Sequence, residues 1–140
     1  MIYKRNRNLT SDIVSRLTRV AQAKQEHLIC FSLDSAHRII NRHHVFKGTL
    51  DSVGSHPREI FVGAVTDHAA KIVIAHNHPY GEPTPSPNDI EVTQRLISCG
   101  RILGIPLVDH IVVAGGKHFS FSENRLMDIY EGEHIQEYLN

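Results

Sequence analysis

Apolar positions recur along the chain with two periods, 3.6 and 2, and the switches between them mark out its elements. Ile13, Val14, Leu17, Val20 and Ala21 share one face of a helix over about residues 10–25, with Thr10 or Ser11 as its cap. HLICFSLD, residues 27–34, predicts a buried strand that ends in a turn at Asp34-Ser35. RIINRHHVFKG, residues 38–48, predicts its hairpin partner. Pro57 suits the first position of a helix within residues 55–70. KIVIA, residues 71–75, is wholly apolar, as expected of a strand covered on both faces. From Pro87 to Gly104 the helical period returns, with Ile90, Val92, Leu96 and Ile97 inward and a glycine-bearing end. Residues 105–122 predict a strand, a Gly115-Gly116 turn and a short returning strand. The tail, residues 124–139, predicts a helix. There are no repeats, linkers or low-complexity tracts. Interleaved helices and strands imply a single α/β domain over 1–140, with its core at about 26–125 and residues 1–25 as N-terminal tail and helix.

Composition narrows the function classes. Hydrophobic residues make up 41% of the 140, which fits a globular, soluble chain. Lysine plus arginine number 15, as do aspartate plus glutamate, so no overall field draws the protein to nucleic acid. The basic start, MIYKRNRNL, reads as a short solvated tail. No apolar segment is long enough to cross a membrane and no signal-peptide pattern opens the chain, so a cytoplasmic protein is expected. Cys30 and Cys99 lack CxxC spacing and sit among apolar neighbours, which predicts buried free thiols. Eleven histidines with no tryptophan is the unusual feature. His43 and His44 are adjacent on a strand, face opposite sides, and read as structural or exposed. His56 is expected to cap its helix, and His118 and His134 to face solvent.

His76 and His78 are different, because they stand where the apolar strand stops. Two apart, they point to the same side, and Asn77 points the other way. Strand ends in α/β domains are where ligand sites tend to lie. The prolines of PYGEPTPSPN and Gly81 force a tight loop that returns Asp89 to the strand end. Two imidazoles and a carboxylate suit zinc or another divalent transition metal, and three protein ligands leave a fourth position for water. Each fragment also has a structural reading. Ser86-Pro87-Asn88-Asp89 resembles a capping box, in which Asp89 serves the helix start. The two readings are compatible, since Ser86 can cap the helix and still present its hydroxyl to the site.

HNHPYGEPTPSPND fits the H-x-H-P, six-residue, S-x-x-D pattern of the JAB/MPN metalloprotease (JAMM) motif. The longer context, from HPREIF through to GIPLVDHIVV, resembles the RadC branch of that superfamily over about residues 26–125. The helix-hairpin-helix region usual in RadC proteins is absent, so the chain resembles their isolated C-terminal domain. Tyr80 stands where a serine is common, which bears on substrate choice rather than on the ligands. The resemblance implies a curved mixed β-sheet flanked by helices, of the cytidine-deaminase-like type. It implies one zinc ion per chain held by His76, His78 and Asp89, with Ser86 stabilising the oxyanion. Pro79 and Gly81 would shape the loop.

The family also uses a glutamate to move the water's proton to the leaving amine. Glu26, just before the first apolar strand, occupies the matching place and is favoured over Glu59, whose position beside Pro57 already has a structural explanation. Asp109-His110 reads either as a pair that orients a metal ligand from behind or as a buried structural pair. The expected function is therefore a zinc-dependent metallopeptidase or isopeptidase acting on an amide in a protein or peptide. The alternative is a non-catalytic or accessory binding module linked to DNA repair. A third reading turns the same chemistry on a smaller amide or nucleotide-like substrate.

Overall fold

In the computed structural model, which describes residues 2–48 and 56–128, the chain runs α1 (Ile2–Ser15), α2 (Thr18–Ala21), β1 (Glu26–Leu33), β2 (Ile39–Gly48), α3 (Pro57–Thr66), β3 (Lys71–Asn77), α4 (Pro87–Leu103), β4 (Leu107–Ala114) and β5 (Lys117–Ser120). The five strands form one open mixed sheet in the order β2-β1-β3-β4-β5. Sequential hairpins make β1–β2 and β4–β5 antiparallel, and β1 also runs antiparallel to β3. β3 and β4 are parallel, and the crossover between them is α4.

β3 lies at the centre because it is apolar on both sides. Ile72 and Ile74 join Leu28, Cys30, Ile60 and Leu96 in the core beneath α3 and α4. Val73 and Ala75 join Ile13, Leu17, Val20 and Phe31 in the core beneath α1 and α2. Fully burying an isoleucine or leucine stabilises the fold by roughly 1.5–3 kcal/mol, so this register resists a one-residue slip that would exchange the two faces. α4 has well-defined ends. Ser86 and Asp89 form a reciprocal capping box with Pro87 in the first turn, and Gly104 closes the helix in the left-handed region at φ 74°.

Several expectations change in detail. The first helix does not start at Thr10 or Ser11 and run to Gln25: α1 already holds both of those residues in its interior, and it stops at Ser15. Backbone bonds from Arg16 to Ile13 and from Leu17 to Val14 tighten the break before α2. The apolar stripe of Leu9, Ile13, Leu17 and Val20 passes through it intact. Residues 22–25 leave the helix, and the carbonyls of Ala23 and Gln25 accept from the buried amide of Asn77. Ile90 and Cys99 are only half-buried, although Cys30 is fully buried and both thiols are free. His56 stands at the N-cap of α3 without a side-chain capping bond. Residues 126–128 begin a helical turn; the rest of the predicted C-terminal helix, with His134, lies outside the described residues.

Candidate metal centre

β3 ends by following β4. Its ladder to β1 stops at Leu28–His76, whereas its ladder to β4 continues through Asn77–Val113. The His78 amide then donates to the Val113 carbonyl at 2.9 Å. This extended course keeps His76 and His78 on the α4 side of the sheet, with ring centroids 5.0 Å apart. The loop returns through Gly81, whose φ of 108° favours glycine. The capping box then fixes Asp89. Its Oδ2 accepts from the Ser86 amide at 2.8 Å, and the Ser86 hydroxyl accepts from the Asp89 amide at 3.1 Å. That bond uses a lone pair of Ser86, not its proton.

Asp89 Oδ1 lies 3.1 Å from His76 Nε2, and Oδ2 lies 3.0 Å from His78 Nε2. The partners behind each ring decide what these approaches mean. The Thr93 hydroxyl donates to the Asp89 carbonyl at 2.8 Å, so it accepts from His110 Nδ1 at 2.6 Å. His110 Nε2 is then bare and accepts from His76 Nδ1 at 2.8 Å. Burial lowers the His110 pKa well below the ordinary value and keeps that ring neutral. His110 is also held flat against Phe121, at 4.8 Å and 3° between planes. His76 Nε2 is left as a lone pair, buried and without a hydrogen-bond partner, pointing at a carboxylate oxygen. On the other side the Glu82 carbonyl accepts from His78 Nδ1 at 2.8 Å, which points His78 Nε2 at Asp89 in the same way.

Two acceptors facing an acceptor call for a cation between them. The three ligand atoms lie within 4.8 Å of one another. A tetrahedral ion with bonds of about 2.0–2.1 Å would hold its ligand atoms about 3.3 Å apart, close to the 3.0 and 3.1 Å seen here. The residues therefore fit a divalent metal. In its absence protons substitute: the Asp89 hydrogen bond raises the His78 pKa against the effect of burial. Burial opposes charge on Asp89 too, yet the two imidazoles hold its carboxyl well below the usual range.

The other candidates separate clearly. Glu26, half-buried at the start of β1, lies within electrostatic reach of His78. Glu59 is exposed in the first turn of α3, with Arg58 at 3.9 Å. The Asp109-His110 pair divides between two tasks. His110 backs His76, while Asp109 accepts from the Ser120 hydroxyl and from the Ser122 and His110 amides, and burial pushes its pKa up to about 6. His43 is half-buried and bonded to Asp67, His44 is exposed, and His118 is exposed with Glu123 at 3.0 Å. Sequence reasoning missed Thr93; its signal was a polar residue four positions after Asp89, on the buried side of a predicted helix.

An α/β sheet that presents two strand-end histidines to a helix-start aspartate defines a JAB-type domain, a class that is commonly hydrolytic. More narrowly, the chain belongs to the RadC-like JAB domain family, which it matches over residues 8–126. It is 44% identical over 111 residues to a UPF0758 protein of Clostridium perfringens, covering 79% of this chain and 49% of that protein. It is 48% identical over 100 residues to a UPF0758 protein of Enterococcus faecalis, with coverages of 71% and 43%. A Bacillus cereus UPF0758 protein is 47% identical over 100 residues, with coverages of 71% and 44%. The chain thus spans less than half the length of these relatives. Among the described residues no helix is long and apolar enough to cross a membrane.

Proposed function

We propose that the domain is a zinc-dependent peptidase or isopeptidase that hydrolyses an amide bond in a protein or peptide substrate. The observation that carries this reading is the buried, partnerless His76 Nε2 aimed at the Asp89 carboxylate. His76, His78 and Asp89 hold the ion. When bound, zinc brings the pKa of a coordinated water to about 7 and polarises a carbonyl oxygen. Glu26, across the end of the β1–β3 ladder, takes the proton of the attacking water and returns it to the leaving amine. Ser86 keeps its hydroxyl proton for the oxyanion while its oxygen caps α4. Tyr80, exposed in the loop that follows His78, is placed to meet the substrate rather than the metal.

Turnover of an internally quenched peptide library by the zinc-loaded protein tests the reading. Glu26→Gln is expected to lose activity by about 10²–10⁴-fold at unchanged zinc content, and Glu59→Gln to match the parent. Loss in Glu59→Gln alone would reassign the base. No hydrolysis of any peptide or isopeptide-linked probe by the zinc-loaded parent would sink the peptidase reading.

A further inference from the structure

Asn77, the residue between the two histidines, is fully buried and turned to the opposite face of the sheet. Its Oδ1 accepts from the His27 amide at 2.7 Å. Its Nδ2 donates to the Gln25 carbonyl at 3.0 Å and, more distantly, to the Ala23 carbonyl at 3.5 Å. The first two bonds grip the backbone immediately before and immediately after Glu26. They do so where the ordinary ladder has run out, since β1 and β3 last pair at Leu28–His76. Glu26 retains its pairing to Gly48 of β2, at the edge of the sheet away from the metal ligands. The side-chain amide thus takes over the task of the ladder for two more residues of β1.

We infer that Asn77 is a positioning residue that sets Glu26 relative to the metal. A three-residue segment carries both histidine ligands on one face and, on the other, the amide that fixes the backbone of the candidate base. Ligands and base are tied to each other through one peptide unit on either side of Asn77, without relying on the loops. This rests on the proposed roles of His76, His78 and Glu26. It adds that a residue touching neither metal nor substrate sets their separation.

The test is NMR of the full chain loaded with Co²⁺, comparing the parent with Asn77→Ala and Asn77→Asp. Pseudocontact shifts of the Glu26 side-chain methylenes report where that side chain lies relative to the ion, and exchange of the His27 amide reports the grip itself. Asn77→Ala is expected to bind Co²⁺ at the parent's stoichiometry, to lose at least about half of the Glu26 shift, and to exchange the His27 amide at least about tenfold faster, one hydrogen bond's worth of protection. Asn77→Asp keeps the acceptor for His27 and loses the donor to Gln25. It is expected to protect the His27 amide better than Asn77→Ala does while still reducing the Glu26 shift, and it serves if Asn77→Ala fails to fold. Turnover should then fall in kcat more than in KM, and the double variant Asn77→Ala/Glu26→Gln should be no slower than Glu26→Gln alone. A parent-like Glu26 shift in a folded, Co²⁺-loaded Asn77 variant would overturn this inference and leave the metal site standing. Failure of the parent to bind Co²⁺ would bring down the metal reading and this inference with it.

Discussion

Two histidine–aspartate clusters lie on the same face of the sheet. His43 Nε2 meets Asp67 Oδ2 at 2.6 Å, and the nitrogens of His76 and His78 meet Asp89 at 3.1 and 3.0 Å. By distance alone all three are ion pairs. At Asp67 the contact is complete, because the ring donates, the carboxylate accepts, and Ser32 adds a second donor at 2.7 Å. His43's bond, followed by that of Ser32, lowers the Asp67 pKa. At Asp89 the protons of both rings are engaged elsewhere, by His110 and by the Glu82 carbonyl. What separates a structural pair from a metal site is therefore the set of partners behind the rings.

Removing a ligand has the largest expected effect. His76→Ala is expected to weaken zinc binding by more than about 100-fold, beyond the range for outer partners. Isothermal titration should find no such loss in His43→Ala. Next comes the relay. Thr93→Val leaves His110 Nδ1–H buried without an acceptor and loosens the tautomer of His76, which should lower zinc affinity by roughly 10–100-fold. Thr93→Ser should restore it. A parent-like affinity in Thr93→Val would mean that the relay does not set the ligand.

On the structural side, an added methyl at Gly63 would lie 2.5 Å from the His43 ring. Overpacking of about 1–3 kcal/mol outweighs a helix-propensity gain of at most about 1 kcal/mol. Gly63→Ala should therefore unfold at lower denaturant yet bind zinc like the parent. The smallest effect is one of pH. In the metal-free protein the raised pKa of His78 contributes stability that is present below its unfolded value and lost as pH rises through its folded one. The lowered pKa of Asp89 contributes stability present above its unfolded value and lost as pH falls through its folded one. Protons and metal compete for the same atoms. The rise in melting temperature on adding zinc should therefore be larger at pH 8 than at pH 6, and an equal rise at both would count against His78 as a ligand.

Much of this site was legible because its logic is local. Period 2 put His76 and His78 on one side, and the S-x-x-D spacing gave both the capping box and the carboxylate's place. What was hidden depends on distant pairings. Glu26 comes within electrostatic reach of His78 because β1 lies beside β3, a neighbour that local pattern does not encode and that only the family resemblance pointed to. Asp109 and His110 could not be told apart because a register shift in β4, between the pairs Ile72–Leu107 and Val73–Asp109, sets which of them faces α4. The helix break after Ser15 was invisible because the apolar stripe continues across it, and no proline or glycine marks the spot. The fate of residues 22–25 was settled by Asn77, some fifty positions away.

The most direct test is elemental analysis of the purified parent, Asp89→Ala and Asp67→Ala after identical exposure to zinc. About one zinc per chain is expected in the parent, retained in Asp67→Ala and lost in Asp89→Ala. Zinc absent from the parent, or kept by Asp89→Ala, would contradict the metal-site assignment.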